Sequence, residues 1–339
     1  MTQLERLQQN GIRRLGSPKT GFRYHSFNAS RIVKADLKRI NDLRIPPAWK
    51  DVAINSAATG RIQAVGKDVA GRWQYLYHAN HTRQQETKKF QRLIKFAQSL
   101  PALRSTVARD LRQQDLGRDT VLAAVLRILS TCFMRPGSQV YASENGSYGI
   151  ATLRRSHVKV RSNSVEFDFP GKSGVRQNQV LRDRRVAAVI KELLKIPGPT
   201  VFKYQNGGGE FCKLTRPRIN AQIKSIMGEN FSAKDFRTWA GTLICANVLA
   251  REGTEGIENK TLRKKKIVTA VKETAEVLGN TPAVCRGSYI SPRVLQEFER
   301  GHVLDNYFNS IDSLTSYRGR ALHKSERALL KLLKNAGSK

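Results

Sequence analysis

The sequence predicts an α+β fold: a small N-terminal antiparallel β-sheet domain, then a larger, mainly α-helical domain with a β-hairpin interlude. Three observations carry that prediction. Between Asp51 and His78, three short runs of β character are separated by turn clusters at Ala58 to Gly60 and Gly66 to Gly71. From Gln84 to the C-terminal end, apolar residues recur mostly at helical spacing. Between Ile150 and Leu181 the period returns to that of strands. The change of period divides the chain into residues 1–80 and 81–339.

Residues 1 to about 30 read as basic and irregular, punctuated by Gly11, Gly16, Pro18 and Gly21. A short helical stretch is expected near Ser30 to Leu43, followed by the rigid Ile45-Pro46-Pro47-Ala48-Trp49. Strands are expected at Asp51 to Asn55, Arg61 to Val65 and Trp73 to His78. In the last of these, the two-residue period turns Gln74 and Leu76 one way and Trp73, Tyr75 and Tyr77 the other. Two readings stay open: a sheet face packed on a helix, the natural one for Trp73, or a strand laid toward a nucleic-acid groove. In the second, Gln74 reaches a base edge and Tyr75 and Tyr77 meet phosphates or thymine methyls.

The helical part opens with Phe90, Leu93, Ile94 and Phe96 to Leu100, and Asp119 to Met134 gives a second strong helix. Strands are then expected at Ile150 to Leu153, His157 to Arg161, Val165 to Phe169 and Gln177 to Leu181, with Pro170-Gly171-Lys172-Ser173-Gly174 as the hairpin tip. Helices follow at Asp183 to Lys195, Arg216 to Met227 and Ser232 to Arg251, the last opening on the capping-box pattern Ser-Ala-Lys-Asp. Gln205 to Glu210 reads as a Gly-rich surface loop. The next helix, Thr261 to Leu278, begins with a basic run, Arg263 to Lys266, expected in solvent or on phosphate. Gly279 and Pro282 stop it, and Gly287 and Ser288 leave Tyr289 on a segment free to bend. A basic amphipathic helix, Ser313 to Leu333, ends the chain.

With 339 residues, 40% of them hydrophobic, the chain has material for two cores. The unusual quantity is a formal charge of +33, from 60 Lys and Arg against 27 Asp and Glu. Self-repulsion of that size suits a protein that works on a polyanion, and double-stranded DNA is the leading partner. If the footprint neutralises about 6 to 10 phosphates, affinity falls by roughly 10³ to 10⁵ between about 50 and 200 mM salt. Four scattered cysteines with no C-x-x-C pair read as buried thiols of a reducing cytosol. The N-terminal stretch shows no secretory signal, and the apolar run Val121 to Met134 is too short to span a bilayer, so a cytoplasmic, nucleoid-associated protein that engages no membrane is expected.

Gly171-Lys172-Ser173 looks like the end of a P-loop, but Glu166 stands where its first glycine belongs and the surroundings read as a strand hairpin. No nucleotide, cofactor or metal is expected; the six histidines form no H-E-x-x-H pair. What remains is a cationic set. Arg135 precedes Pro136-Gly137, Lys172 sits at the hairpin tip, and Arg237 lies near the start of a helix beside buried Phe236. Each is by itself an ordinary solvated or phosphate-positioning charge, and Tyr289 by itself is ordinary half-buried packing.

Their order is informative. Arg135 in FMRPGSQVYASENGSYGIATL, Lys172 in FPGKSG, Arg237 in DFRTWAGT, and Asn280 and Tyr289 in LGNTPAVCRGSYISP resemble the type IB DNA topoisomerases of bacteria and poxviruses. The IPPAW segment and the GRWQYLYH strand resemble that family's small N-terminal domain, so the similarity runs from about residue 20 to 310. Asn280 stands where viral and eukaryotic branches carry histidine, and Pro136 follows the first arginine where a small apolar residue is expected.

The resemblance implies a tyrosine recombinase/topoisomerase IB-like catalytic domain at 81–339, a DNA-binding domain at 1–80, and a C-shaped clamp on DNA. It implies relaxation of supercoiled duplex by a monomer through a 3′-phosphotyrosine at Tyr289. Arg135 and Arg237 would clamp the phosphoryl oxygens, Lys172, its pKa lowered by neighbouring guanidinium charge, would protonate the leaving 5′ oxygen, and Asn280 would donate to a non-bridging oxygen. Gln74, Tyr75, Tyr77 and Tyr141 are the expected DNA contacts. Two other functions share parts of this set: a tyrosine site-specific recombinase, with the same Arg, Lys, Arg and Tyr chemistry, and a non-catalytic basic architectural DNA-binding protein.

Overall fold

Thr2 opens the first helix, α1 (Gln3–Asn10), as a complete capping box: its hydroxyl accepts from Glu5 N at 3.2 Å and its own N–H donates to Glu5 Oε2 at 2.7 Å. A computed structural model describes residues 1–27, 32–113 and 115–335. The expectation of an irregular N-terminal stretch is corrected by α1 and by a hairpin of β1 (Ile12–Ser17) and β2 (Gly21–Ser26). The glycines there are turn chemistry, since Gly16 and Gly21 adopt φ of +96° and +79° around the hairpin tip. Next come α2 (Lys34–Asp42), β3 (Lys50–Ile54), β4 (Ile62–Lys67) and β5 (Trp73–Tyr77). Ser30 and Arg31, the expected start of the second helix, lie outside the described residues.

The five strands form one antiparallel sheet in the order β2-β1-β3-β4-β5. Ile12, Ile40, Val52, Ile54 and Ala64 form one buried cluster with Trp49 and Leu76 against it; Leu7, Ala53, Ile62 and Val65 form another with Trp73 against it. Trp73 is therefore packing. The IPPAW segment wraps a guanidinium: Arg14 donates to Pro46 O at 3.2 Å and Trp49 O at 2.7 Å.

A long helix, α3 (Ala79–Asp110), follows, and the chain divides within it into two compact units, Met1–Phe90 and Gln91–Lys339. The second unit continues with α4 (Arg118–Thr131), α5 (Gln139–Asn145), β6 (Val158–Val160), β7 (Ser164–Pro170), β8 (Arg176–Arg182) and α6 (Arg184–Leu193). Strands β6, β7 and β8 make a three-stranded antiparallel sheet. Then come β9 (Lys203–Gln205), β10 (Phe211–Lys213), α7 (Arg216–Met227), α8 (Ala233–Glu252), α9 (Lys260–Leu278), α10 (Pro282–Ser288), α11 (Pro292–Glu299), α12 (Ile311–Ser316) and α13 (Lys324–Asn335). Helix α8 is buried along nearly its whole length and packs against α4, α7, α9, α11 and α13, so it is the axis of this unit.

Three more expectations are corrected. Ile150–Thr152 is a buried 3₁₀ turn rather than a strand, because Ile150 N and Ala151 N are taken by Arg135 O at 2.9 Å and Pro136 O at 3.0 Å. Gln205 to Glu210 is, as expected, an exposed surface loop, and β9 and β10 flank it. The basic run at Arg263 is only partly in solvent: Lys266 Nζ donates to Glu252 O, Gly253 O and Glu255 O and satisfies the end of α8. The terminal helix is two helices. Arg318 between them donates to Arg182 O at 2.9 Å and pairs with Asp183, while Glu326 accepts His323 N at 2.8 Å and starts α13. Among the described residues no helix is long and apolar enough to cross a membrane.

Candidate active site

Helix α8 starts as its sequence predicts, with Asp235 accepting from Ser232 N at 2.9 Å. Its second turn carries Arg237 into the interior at 3% exposure. Two backbone carbonyls hold the guanidinium: Nη1 donates to Phe133 O at 2.5 Å and Nη2 to Leu278 O at 2.7 Å. Phe133, just past α4, has a φ of +53°, a strained conformation for a bulky residue in the loop that anchors this cation. Arg237 Nε is buried without a hydrogen-bond partner.

Arg135 lies two residues further along that loop. Its carbonyl is held by the 3₁₀ turn, and Gly137 and Gly149 touch so closely that a Cβ on Gly149 would stand 2.5 Å from Gly137 N. The two ends of the FMRPGSQVYASENGSYGIATL stretch thus close on each other. The half-buried side chain of Arg135 donates from Nη2 to Asn280 Oδ1 at 2.5 Å.

Asn280 is set by the end of α9. Gly279, at φ +57°, donates to Glu276 O at 3.0 Å, and Asn280 N returns to Ala275 O at 2.9 Å, the two bonds of a Schellman termination. Because arginine only donates, the amide oxygen faces Arg135 and the amide nitrogen faces away. That nitrogen, Nδ2, is buried with no partner.

Pro282 is not merely a stop. It occupies the first turn of α10, capped by Thr281, and Tyr289 is the residue that ends this helix. The expected free segment is corrected: Tyr289 N bonds to Cys285 O at 2.9 Å, Ile290 and Ser291 are fully buried, and the tyrosine is half-buried. Arg237 lies over the phenol ring, 5.0 Å from its centroid.

Lys172 is exposed in a short 3₁₀ turn at the tip between β7 and β8. The hairpin lies beside Asn280's own turn, since Gln177 fills the space beside both Gly171 and Gly279. Tyr141 is 46% exposed on α5. In the N-terminal unit Tyr75 and Tyr77 are exposed and Gln74 is half-buried, its Nε2 donating to Asp68 Oδ2 at 2.8 Å. The structure therefore brings Arg135, Arg237, Asn280 and Tyr289 together, with the Lys172 hairpin packed alongside. Among the described residues no side-chain hydrogen bond links Tyr141 to this cluster.

The electrostatics are one-sided. None of Arg135, Arg237 and Lys172 has a carboxylate within 4.0 Å among the described residues, whereas the largely buried Arg104 and Arg127 do. Burial, with the repulsion of Arg135 added, pushes Arg237 down to about 10, still protonated at neutral pH. Burial raises the Tyr289 phenol, but the charges of Arg237, Arg135 and Lys234 outweigh it and bring the phenol below the ordinary tyrosine value. Surplus buried positive charge and two orphaned donors call for an anion beside the phenol.

Sequence reasoning missed the carbonyls of Phe133 and Leu278, the Gly137–Gly149 closure, Gln177, and Lys234 as a charge acting on the phenol. Of these, only the glycines left a mark in the sequence.

The family model described as "Eukaryotic DNA topoisomerase I, catalytic core" matches residues 78–302, and that of "Bacterial DNA topoisomerase IB, N-terminal domain" matches residues 21–68. The chain is similar to DNA topoisomerase 1B of Acanthamoeba polyphaga mimivirus, 34% identical over 300 residues, covering 87% of this chain and 89% of the viral protein. DNA topoisomerase 1B of vaccinia virus is 23% identical over 271 residues, covering 78% of this chain and 83% of its own. DNA topoisomerase 1 of Drosophila melanogaster is 23% identical over 206 residues, 57% of this chain but 20% of the insect protein.

Proposed function

The chain belongs to the type IB DNA topoisomerases, and from that premise we propose how its residues break and rejoin a DNA strand. The enzyme is a DNA topoisomerase acting on DNA. Tyr289 Oη attacks a backbone phosphorus, forming a 3′-phosphotyrosine as the bond to the 5′ oxygen breaks. The phenol's proton leaves to solvent, and the departing 5′ oxygen takes a proton from Lys172 at the tip of the β7–β8 hairpin, an exposed position suited to meeting bound substrate. Negative charge gathering on the non-bridging oxygens is met by Arg135, Arg237 and the unpaired amide nitrogen of Asn280.

The single observation that carries this reading is the carboxylate-free cluster: two guanidiniums and an orphaned amide donor around one phenol whose ionisation they favour. One phosphodiester is exchanged for another of similar energy, so resealing needs no nucleotide, and no step above requires a metal. While the strand is open, the held duplex rotates and releases its torsion. Action by a monomer, closure of the protein as a clamp on duplex DNA, and work in a cytoplasmic nucleoid belong to the same proposal and rest on the +33 charge. So do DNA contacts by Gln74, Tyr75, Tyr77 and Tyr141, supported by the exposure of the three tyrosines.

The test is a denaturing gel of protein mixed with supercoiled plasmid. Wild type is expected to leave relaxed circles and a protein-linked 3′ end, and Tyr289→Phe neither, with DNA affinity retained. Normal relaxation by Tyr289→Phe sinks the assignment. Loss of the covalent product also separates the enzyme from a merely architectural DNA-binding protein.

A further inference from the structure

A threonine inside a helix commonly returns its hydroxyl to a carbonyl of the preceding turn. Thr274 does so to Ala270 O at 2.6 Å and Thr238 to Lys234 O at 3.4 Å. Thr242, fully buried in α8, does not. Its Oγ1 donates to Tyr289 O at 3.1 Å and accepts from Ser291 N at 3.1 Å, so one hydroxyl ties both ends of the turn that follows α10. Ser291 is itself fully buried, and Ser291 N would otherwise be an orphaned donor.

The residue before it makes a second contact. A Cβ on Gly241 would stand 2.9 Å from both Tyr289 Cβ and Tyr289 O, so only hydrogen fits between α8 and the tyrosine. Helix α8 thus touches Tyr289 at three points within six residues: Arg237 over the ring, Gly241 against Cβ, and Thr242 at the carbonyl. A single rigid helix sets the distance between the phenol and the guanidinium that lies over it.

We infer that Gly241 and Thr242 are positioning residues that aim the Tyr289 phenol for in-line attack, acting through the Tyr289–Ser291 turn and touching no substrate themselves. This rests on the reading of Tyr289 as the nucleophile. A hydroxyl displaced from its line of attack loses rate without losing substrate binding, since the DNA is held elsewhere.

The experiment compares Thr242→Val, Thr242→Ser and Tyr289→Phe in single-turnover cleavage of a duplex, with DNA affinity and Tm measured on the same samples. Thr242→Val keeps the shape and removes the hydroxyl. It is expected to slow cleavage and religation together by about 10- to 100-fold with unchanged affinity. Thr242→Ser, which keeps the hydroxyl, is expected to restore the rate. A 5′-bridging sulfur in the substrate, which removes the need to protonate the leaving group, should leave the Thr242→Val defect in place, because the defect lies in the nucleophile.

Wild-type rates for Thr242→Val alongside an inactive Tyr289→Phe overturn the positioning role and leave the nucleophile intact. Adduct formation by Tyr289→Phe overturns the nucleophile on which it rests. If Thr242→Val melts below the assay temperature, the series Thr242, Thr242→Ser and Thr242→Cys decides. A rate that falls with the weaker thiol donor supports the role, and equal rates overturn it.

Discussion

Arg135 Nη2 donates to Asn280 Oδ1 at 2.5 Å across 145 residues of sequence, and the bond orients an amide as well as joining two segments. It turns Asn280 Nδ2 away from Arg135, where it is buried and unpaired, a donor awaiting an acceptor. An asparagine that stood free would present either end.

Asn280→Asp tests that orientation. The carboxylate would pair with Arg135, remove the unpaired donor and add negative charge where phosphoryl oxygens gather it. Single-turnover adduct formation should fall by about 10²- to 10³-fold, the cost of losing one such donor. Wild-type rates in this variant would show that the amide nitrogen has no part in the reaction.

Cleavage should depend on pH through the phenol. Its pKa lies below the ordinary value because Arg237, Arg135 and Lys234 outweigh the opposing effect of burial. The proton therefore leaves more easily, and the rising limb of the cleavage rate should lie at lower pH than for a free tyrosine at 10.0. Arg237→Met removes the nearest of these charges while burial remains, so the limb should move to higher pH. The position of the limb is the readout, because the height also falls with lost charge stabilisation. A limb that stays put would mean that Arg237 does not govern ionisation.

Lys172→Ala should slow cleavage, and a substrate with a 5′-bridging sulfur should restore it, since that leaving group needs no proton. The lysine is exposed at its hairpin tip, so the substitution should leave Tm unchanged. Failure of the sulfur substrate to rescue the rate would take the general acid away from this residue.

Glu326 is a stability prediction away from the chemistry. Its buried carboxylate accepts from Arg104 Nη1 at 2.9 Å and Nη2 at 2.7 Å, and from His323 N at 2.8 Å, which ties α13 to α3. Glu326→Ala strands a largely buried guanidinium, at a cost of roughly 3–5 kcal/mol. At about 2–4 °C per kcal/mol for a unit of this size, Tm should fall by roughly 6–20 °C. Calorimetry reads it directly, and a change of a degree or two would show that the pair contributes little.

The sequence by itself determined the α+β class, the start of α8 at its capping box, and the order of Arg135, Lys172, Arg237, Asn280 and Tyr289. These are local or linear properties: periodicity, capping chemistry and motif order need no knowledge of what packs against what. The 3₁₀ turn at Ile150 and the break before α13 were decided by tertiary contacts. They are fixed by distant partners: Arg135 O accepts from Ile150 N, and the Arg318 guanidinium donates to Arg182 O. The same holds at the site. That Tyr289 ends a pinned helix, that the Asn280 amide nitrogen faces away from Arg135, and that Arg237 is held by the carbonyls of Phe133 and Leu278 follow from bonds spanning 41 to 145 residues, as Arg237–Leu278 at 41 and Arg135–Asn280 at 145 show. Side-chain identity can be read along a chain, but the partner that fixes its direction exists only once the chain has folded.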